Sequence, residues 1–360
     1  MKKIGILTSG GDCQGLNATI RGVAKGLYSL MDNVEIYGIA DGYKGLIEGL
    51  FELKKPSDFS GILTLGGTIL GTSRQPFKGM QLVDENSASK LKQMVDTYNR
   101  MKLDCLVVLG GNGTHKTANL LSEQGLNVIG LPKTIDNDIF GTDITFGFQS
   151  AVEIATDVID RIHSTATAHG RTFIVEIMGN KAGFLNLHAG VAGGADIILI
   201  PEIPYDEKTV ADSLKKREDS GKAFSIIAIA EGAISKEEAD IPKKAQKELR
   251  ASYPSYFTVG HRLAEKLSKL TPLELRVTTP GHYLRGGSPC AFDRTLATKL
   301  GAQAAQYIKN GKFGVMVGVK GSELVPVPLK EVAGNVKRVD VNGQLVKTAK
   351  TIGVSFGVKS

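Results

Sequence analysis

Short, continuous apolar runs recur along the chain with amphipathic stretches between them, and this pattern most narrows the fold. Ile4 to Leu7, Val34 to Ile39, Leu106 to Leu109, Val128 to Leu131, Phe173 to Ile177, Ile197 to Ile200 and Phe224 to Ile229 each read as a strand. A strand with one face in water alternates polar and apolar residues, so runs without alternation belong to strands covered on both faces. Helical segments between them make the sheets parallel. The expected class is α/β, with two Rossmann-like three-layer domains of largely parallel sheet. At 360 residues the chain is too long for one small core. The expected boundaries are 1–147 plus about 262–310 for one domain, and 148–261 plus about 311–360 for the other.

Local signals fill in the connections. Ser150 followed by Glu153 reads as a capping box, with Ala151, Ile154, Ala155, Val158 and Ile162 on one helical face beginning the second domain. A further helix is expected over Arg294 to Ile308, and Asn342-Gly343 between Val341 and Leu345 signals a hairpin. No apolar stretch is long enough to span a bilayer, so no membrane partner is expected. Cys13, Cys105 and Cys290 lack metal spacing and suit a reducing cytoplasm. The formal net charge of +7 would favour small anions. Trp is absent and no dense Lys/Arg block is interleaved with aromatics, which argues against nucleic acid.

The chemistry gathers where strands end. Gly130 to Asp138 reads GLPKTIDND, with Lys133, Thr134, Asp136 and Asp138 crowded behind an apolar run. Two carboxylates in different surroundings can divide the work of base and metal ligand, although Asp and Asn are also ordinary turn formers. After the first strand comes TSGGDCQGLN, where Gly10 and Gly11 let the backbone approach an anion. Its spacing fits neither the dinucleotide fingerprint nor a Walker lysine motif. LGGNGTHKT follows the Leu106 run and offers Gly111, Asn112, Gly113 and Thr114, and Gly71-Thr72-Ser73-Arg74 is a third anion-friendly stretch. Any one of these could be structural, but together they point to one crevice in an open α/β sheet. Downstream, Arg171 precedes a strand ending in Met178-Gly179, Glu231 closes another, and Arg276, His282 and Arg285 surround PGHYLRGGSP. Fork-shaped arginines with a titratable histidine suit a phosphate dianion, and Glu231 could accept from sugar hydroxyls.

The ordered set SGGDCQGLN, GGNGT, PKTIDND, EIMG, AEGA and PGHYLRGGSP, from about Ile4 to about Gly301, resembles the motifs of the phosphofructokinases. The resemblance implies two Rossmann-like domains with the active site in the cleft between them. It implies transfer of a phosphoryl group from ATP, with Mg²⁺, to the 1-hydroxyl of fructose 6-phosphate, and a homodimer or homotetramer. It makes Asp136 the general base, Thr134 its catalytic neighbour and Asp138 a magnesium-linked carboxylate. Gly11, Arg74, Gly111, Asn112, Gly113, Thr114 and Lys133 form the donor site. Arg171 reaches across a subunit interface, and Met178, Gly179, Glu231, Arg276, His282 and Arg285 hold the sugar phosphate with Thr134 and Asp136.

Three departures qualify this. Asn112 replaces an aspartate that helps hold magnesium, leaving a weaker or water-mediated ligand. Lys133 replaces glycine, as in the pyrophosphate-using enzymes and a mixed subgroup. Asn180 replaces an arginine. Gly113 pulls the other way, because pyrophosphate-dependent members usually carry aspartate there. The expected donor is ATP, with pyrophosphate as the alternative; an NAD kinase and a non-catalytic sugar-phosphate sensor are more distant readings.

Overall fold

A computed structural model describes residues 1–82 and 89–359, which form two compact units. The first comprises Met1–Ser150 and Arg285–Lys337, the second Ala151–Leu284 and Arg338–Ser360.

The first unit holds a seven-stranded sheet of β1 (Lys2–Ser9), β2 (Val34–Ile39), β3 (Phe51–Lys54), β4 (Cys105–Gly110), β5 (Val128–Pro132), β10 (Val315–Lys320) and β11 (Glu323–Pro328). Its order is β11-β10-β5-β4-β1-β2-β3. The five inner strands run parallel, and β3 and β11 pair antiparallel at the two edges. Every residue of β4 and β5 is buried, which is why their sequences do not alternate. Leu7, Ile39, Leu106, Val108 and Met316 contribute to one apolar cluster. Each such side chain withdrawn from water contributes roughly 1.5–3 kcal/mol. The helices Leu16–Leu30 and Ala291–Lys309 meet backbone to backbone, since a Cβ on Gly301 would lie 2.5 Å from the Thr19 carbonyl oxygen.

The second unit carries four parallel strands, β6 (Thr172–Ile177), β7 (Ile197–Leu199), β8 (Ser225–Ala230) and β9 (Leu275–Thr278), in the order β7-β8-β6-β9. Ile174, Leu199, Ile227, Ile229 and Leu263 belong to its core.

Sheet pairing moves the expected second segments. Residues 262–284 belong with the second unit because β9 pairs with β6, and 311–337 belong with the first because β10 pairs with β5. The hairpin at Asn342-Gly343 is not formed. Asp340 bends the chain there, its carboxylate accepting from the Asn342 N–H at 2.9 Å, and the helix Gln344–Thr351 follows. Ser150 caps nothing, because the helix already begins at Phe148 and runs to His169. Its hydroxyl instead donates to the buried Asp293 carboxylate at 2.6 Å, a charge-assisted bond stronger than a local cap. No described helix is long and apolar enough to cross a membrane.

Candidate active site

In the first unit the chain leaves β1 for β2 on one side, while β4 flanks β1 on the other and leads outward to β5. The direction of progress reverses between β1 and β4, and ligands of open α/β sheets bind beyond the carboxyl ends of strands at such a point. Three sequence-expected elements meet there. Gly10 follows β1 in the left-handed region at φ 88°. A Cβ on it would lie 3.7 Å from Lys133 Nζ and 3.9 Å from Thr114 Oγ1, and one on Gly11 would lie 3.0 Å from Arg285 Nη1. These glycines leave space among cations and a hydroxyl. After β4, the helix Asn112–Glu123 starts at Gly111 without a side-chain cap, so its first N–H groups can face an anion. The third stretch is tied to the first: Thr72 Oγ1 donates to the Gly10 carbonyl at 2.7 Å, and the Gly10 N–H donates to the Ser73 carbonyl at 3.0 Å. Arg74 follows directly and is exposed.

Lys133 enters from the end of β5, buried, with its ammonium on the Gly11 carbonyl. Burial pulls its pKa below the usual lysine value, against the opposing charges of Cys13, Asp12 and Asp136. The next residues form a loop bonded to itself. The Asp136 N–H donates to Thr134 Oγ1 at 3.1 Å, and Thr145 Oγ1 donates to the Thr134 carbonyl at 2.7 Å. Asn137 has φ 52°, so the chain turns between the two carboxylates instead of alternating as a strand would. Its side-chain oxygen accepts from the Thr145 N–H at 3.1 Å. Asp138 accepts from Asn112 Nδ2 at 2.7 Å. The two acids therefore have distinct surroundings, Asp136 within the field of Lys133 and Asp138 within that of Lys337.

The Asn112 amide also bears on the metal question. Its nitrogen is committed to Asp138, while its oxygen is buried without a hydrogen-bond partner among the described residues. An orphaned oxygen beside a carboxylate fits a hard cation. Among the described residues no group of three or more His, Cys, Asp or Glu side chains could enclose an ion. That set suits Mg²⁺, which is commonly bound by one or two carboxylates plus water and substrate phosphate.

The remaining expected residues divide between the units. Arg285 is in the first, where Nη1 donates to the Asp12 carbonyl at 2.9 Å and the buried Nε has no partner among the described residues. Arg276 and His282 are in the second, both exposed. There Arg171 Nε pairs with Glu274 at 2.7 Å, and Arg276 pairs with the other oxygen of the same carboxylate. Ile177 and Ala230 are register partners, so Met178-Gly179 and Glu231-Gly232 leave neighbouring strands side by side. The Gly232 N–H donates to the Gly179 carbonyl at 3.1 Å.

Residues 3–308 match the family model described as phosphofructokinase. The chain belongs to the phosphofructokinase family. This phosphofructokinase is 53% identical over 361 residues to the ATP-dependent 6-phosphofructokinase of Spirochaeta thermophila, covering 99% of this chain and 98% of that one. It is 45% identical to ATP-dependent 6-phosphofructokinase 3 of Bacteroides thetaiotaomicron, covering 99% of this chain and all of the relative. Among solved structures, the Pichia pastoris phosphofructokinase in the T-state matches at TM-score 0.78 and 31% identity, over 92% of this chain and 35% of that chain. A pyrophosphate-dependent phosphofructokinase of Marinobacter aquaeolei shares the fold at TM-score 0.80 and 18% identity, over 99% of this phosphofructokinase and 92% of that chain.

Sequence reasoning overlooked Thr145 and Lys337. Thr145 stands within reach of PKTIDND and could have been suspected as a loop hydroxyl; Lys337 carries no sequence signal.

Proposed function

We infer that the chain catalyses ATP-dependent phosphorylation of fructose 6-phosphate at its 1-hydroxyl, giving fructose 1,6-bisphosphate and ADP. The observation that carries this reading is the meeting of Gly10-Gly11, Gly111 to Thr114 and the Asp136 loop at the ends of β1, β4 and β5. Phosphoryl transfer asks mainly for positioning and charge neutralisation, with one base for the incoming hydroxyl.

Gly11, Gly111, Asn112, Gly113 and Thr114 give the donor phosphates a backbone cradle at a helix N-terminus, and Lys133 and Arg74 supply positive charge. Asp138 and the open oxygen of Asn112 would hold Mg²⁺, which screens donor phosphate charge when bound. Asp136 accepts the proton of the 1-hydroxyl as its oxygen bonds to the γ-phosphorus, and the bond to the ADP oxygen breaks. Thr134 orients Asp136 through the Asp136 N–H. Met178, Gly179, Glu231, Arg276 and His282 hold the sugar phosphate, and Arg285 of the first unit, whose Nε has no partner among the described residues, is a further donor for an anion. Arg171 serves the sugar site of a neighbouring copy in a homodimer or homotetramer, and the enzyme works in the cytoplasm.

ATP is the donor because Gly113 places neither bulk nor charge beside the β-phosphate. The position is exposed, and a Cβ there would meet nothing within 4 Å among the described residues. Lys133 can serve pyrophosphate as well as ATP. Steady-state rates with fructose 6-phosphate, Mg²⁺ and either ATP or pyrophosphate test the reading. A higher kcat/KM for pyrophosphate would overturn the donor, and no turnover with either would overturn the enzyme.

A further inference from the structure

We propose that Lys337 is a positioning residue for the carboxylates, fixing the loop on which Asp136 and Asp138 stand. The proposal rests on the reading of Asp136 as the general base.

Three hydrogen bonds of the Lys337 ammonium go to this loop. Its Nζ donates to Asn137 Oδ1 at 3.0 Å, to the Thr142 carbonyl at 2.9 Å and to the Asp143 carbonyl at 2.9 Å. An ammonium has three N–H donors, so this set uses them all. The backbone adds two further ties: the Lys337 N–H donates to the Asp138 carbonyl at 2.9 Å, and Val336 bridges to Ile139. A single residue some 200 positions away therefore holds the loop at 137, 138, 142 and 143.

Asn137 explains why such a clamp matters. Its φ of 52° lies in the left-handed region, which asparagine holds more readily than most residues when its side chain is hydrogen-bonded. Its Oδ1 takes one bond from Lys337 and one from the Thr145 N–H, fixing the side chain of a residue lying between the two acids. If Lys337 is lost, the Thr142 and Asp143 carbonyls lose that partner, and Asn137 keeps only its bonds to Thr145 and to the Asp143 carbonyl. The turn can then relax, and both carboxylates move with it. The Lys337 ammonium is spent on the loop, so sugar binding should survive its loss while the alignment of base and hydroxyl does not. A displacement of about 1 Å can cost on the order of 10²-fold in rate.

The test compares Lys337→Met, Asp136→Asn and the double variant with the full chain, reading kcat, KM for fructose 6-phosphate and thermal unfolding. Lys337→Met should lower kcat roughly tenfold or more, with KM within about twofold of the parent. Added to Asp136→Asn it should lower kcat little further, because its effect passes through the base. Should Lys337→Met lose its cooperative unfolding transition, Lys337→Arg is read instead. A planar guanidinium cannot aim at all three acceptors, so kcat should fall several-fold at unchanged KM. Parental kcat in the folded Lys337 variant, or full additivity with Asp136→Asn, overturns the positioning role. Parental kcat in Asp136→Asn itself would instead overturn the reading of the base.

Discussion

The carboxylate loop of the first unit and the arginine group of the second solve different problems. Around Asp136 and Asp138 the polar atoms are tied to one another: Thr134 to Thr145, Asn112 to Asp138, Asn137 to Lys337. In the second unit Arg171 and Arg276 share one exposed carboxylate, Glu274, and His282, which follows Arg276 closely in sequence, is exposed. Exposed ion pairs are weak and easily exchanged. A base must be aimed at one proton to a fraction of an ångström, so its surroundings are locked before substrate arrives. A phosphate dianion can be gripped from several directions, so arginines proposed to hold one can stay loosely paired until it comes. On the proposed assignment, fixed geometry marks the place where chemistry is done, and exchangeable charge marks the place where substrate is held.

Substitutions can break this contrast. The largest effect is expected at Asp136: Asp136→Asn should lower kcat by at least about 10²-fold with KM for fructose 6-phosphate little changed, since a general base acts on the transition state. Equal losses in kcat and in sugar affinity would make the loop a binding element too. Gly113→Asp should follow, reducing kcat/KM for ATP by roughly 10–10²-fold while pyrophosphate use falls much less, because like charges repel strongly at short range. The fold gives no reason for the variant to be unstable, as a side chain there meets open space among the described residues. For Arg276→Ala, KM for the sugar should rise roughly tenfold with kcat nearly unchanged, about the value of one charge-assisted contact. A rise in KM for ATP instead would transfer Arg276 to the donor.

The smallest effect is one of stability. His115 is buried, with Nδ1 3.0 Å from the Gly111 carbonyl oxygen, and burial pushes its pKa down to about 4. The unfolded chain binds this proton below about pH 6.5, while the folded chain does not until much lower. His115 therefore imposes no penalty above pH 6.5 and destabilises progressively as pH falls toward 4, on the order of 1–3 kcal/mol. Thermal unfolding between pH 7 and 4.5 should show this slope, and His115→Gln should flatten it; identical slopes would remove His115 as the source.

The inner sheet was legible because parallel strands buried on both faces must be written as unbroken apolar runs. Phe224 to Ile229 and Val128 to Leu131 coincide with β8 and β5 to within a residue at each end. The glycine loops were equally plain, since a backbone that must approach an anion has few alternatives. Edge strands leave weaker traces. Phe51–Lys54 is mostly exposed, and Glu323–Pro328 contains two prolines, tolerable only where one side of the strand is unpaired. Val315–Lys320 was not among the strands expected from the sequence, and only its pairing with β5 shows that it returns to the first sheet. The turn at Asn342-Gly343 illustrates how a local signal fails without a following strand to pair. Lys337 is the extreme case: its partners are fixed entirely by tertiary structure, and a lysine among KRVD looks like surface.

The late return of β10 has a consequence for synthesis. β5 receives its neighbour only after the ribosome has made roughly 180 further residues, on the order of 10–40 s at ordinary elongation rates. Throughout that interval one border of a wholly apolar strand stands open, a ready template for another nascent chain. Crowded polysomes should make this enzyme a client of chaperones that shield such borders, and slowing translation after β5 would prolong the danger instead of relieving it.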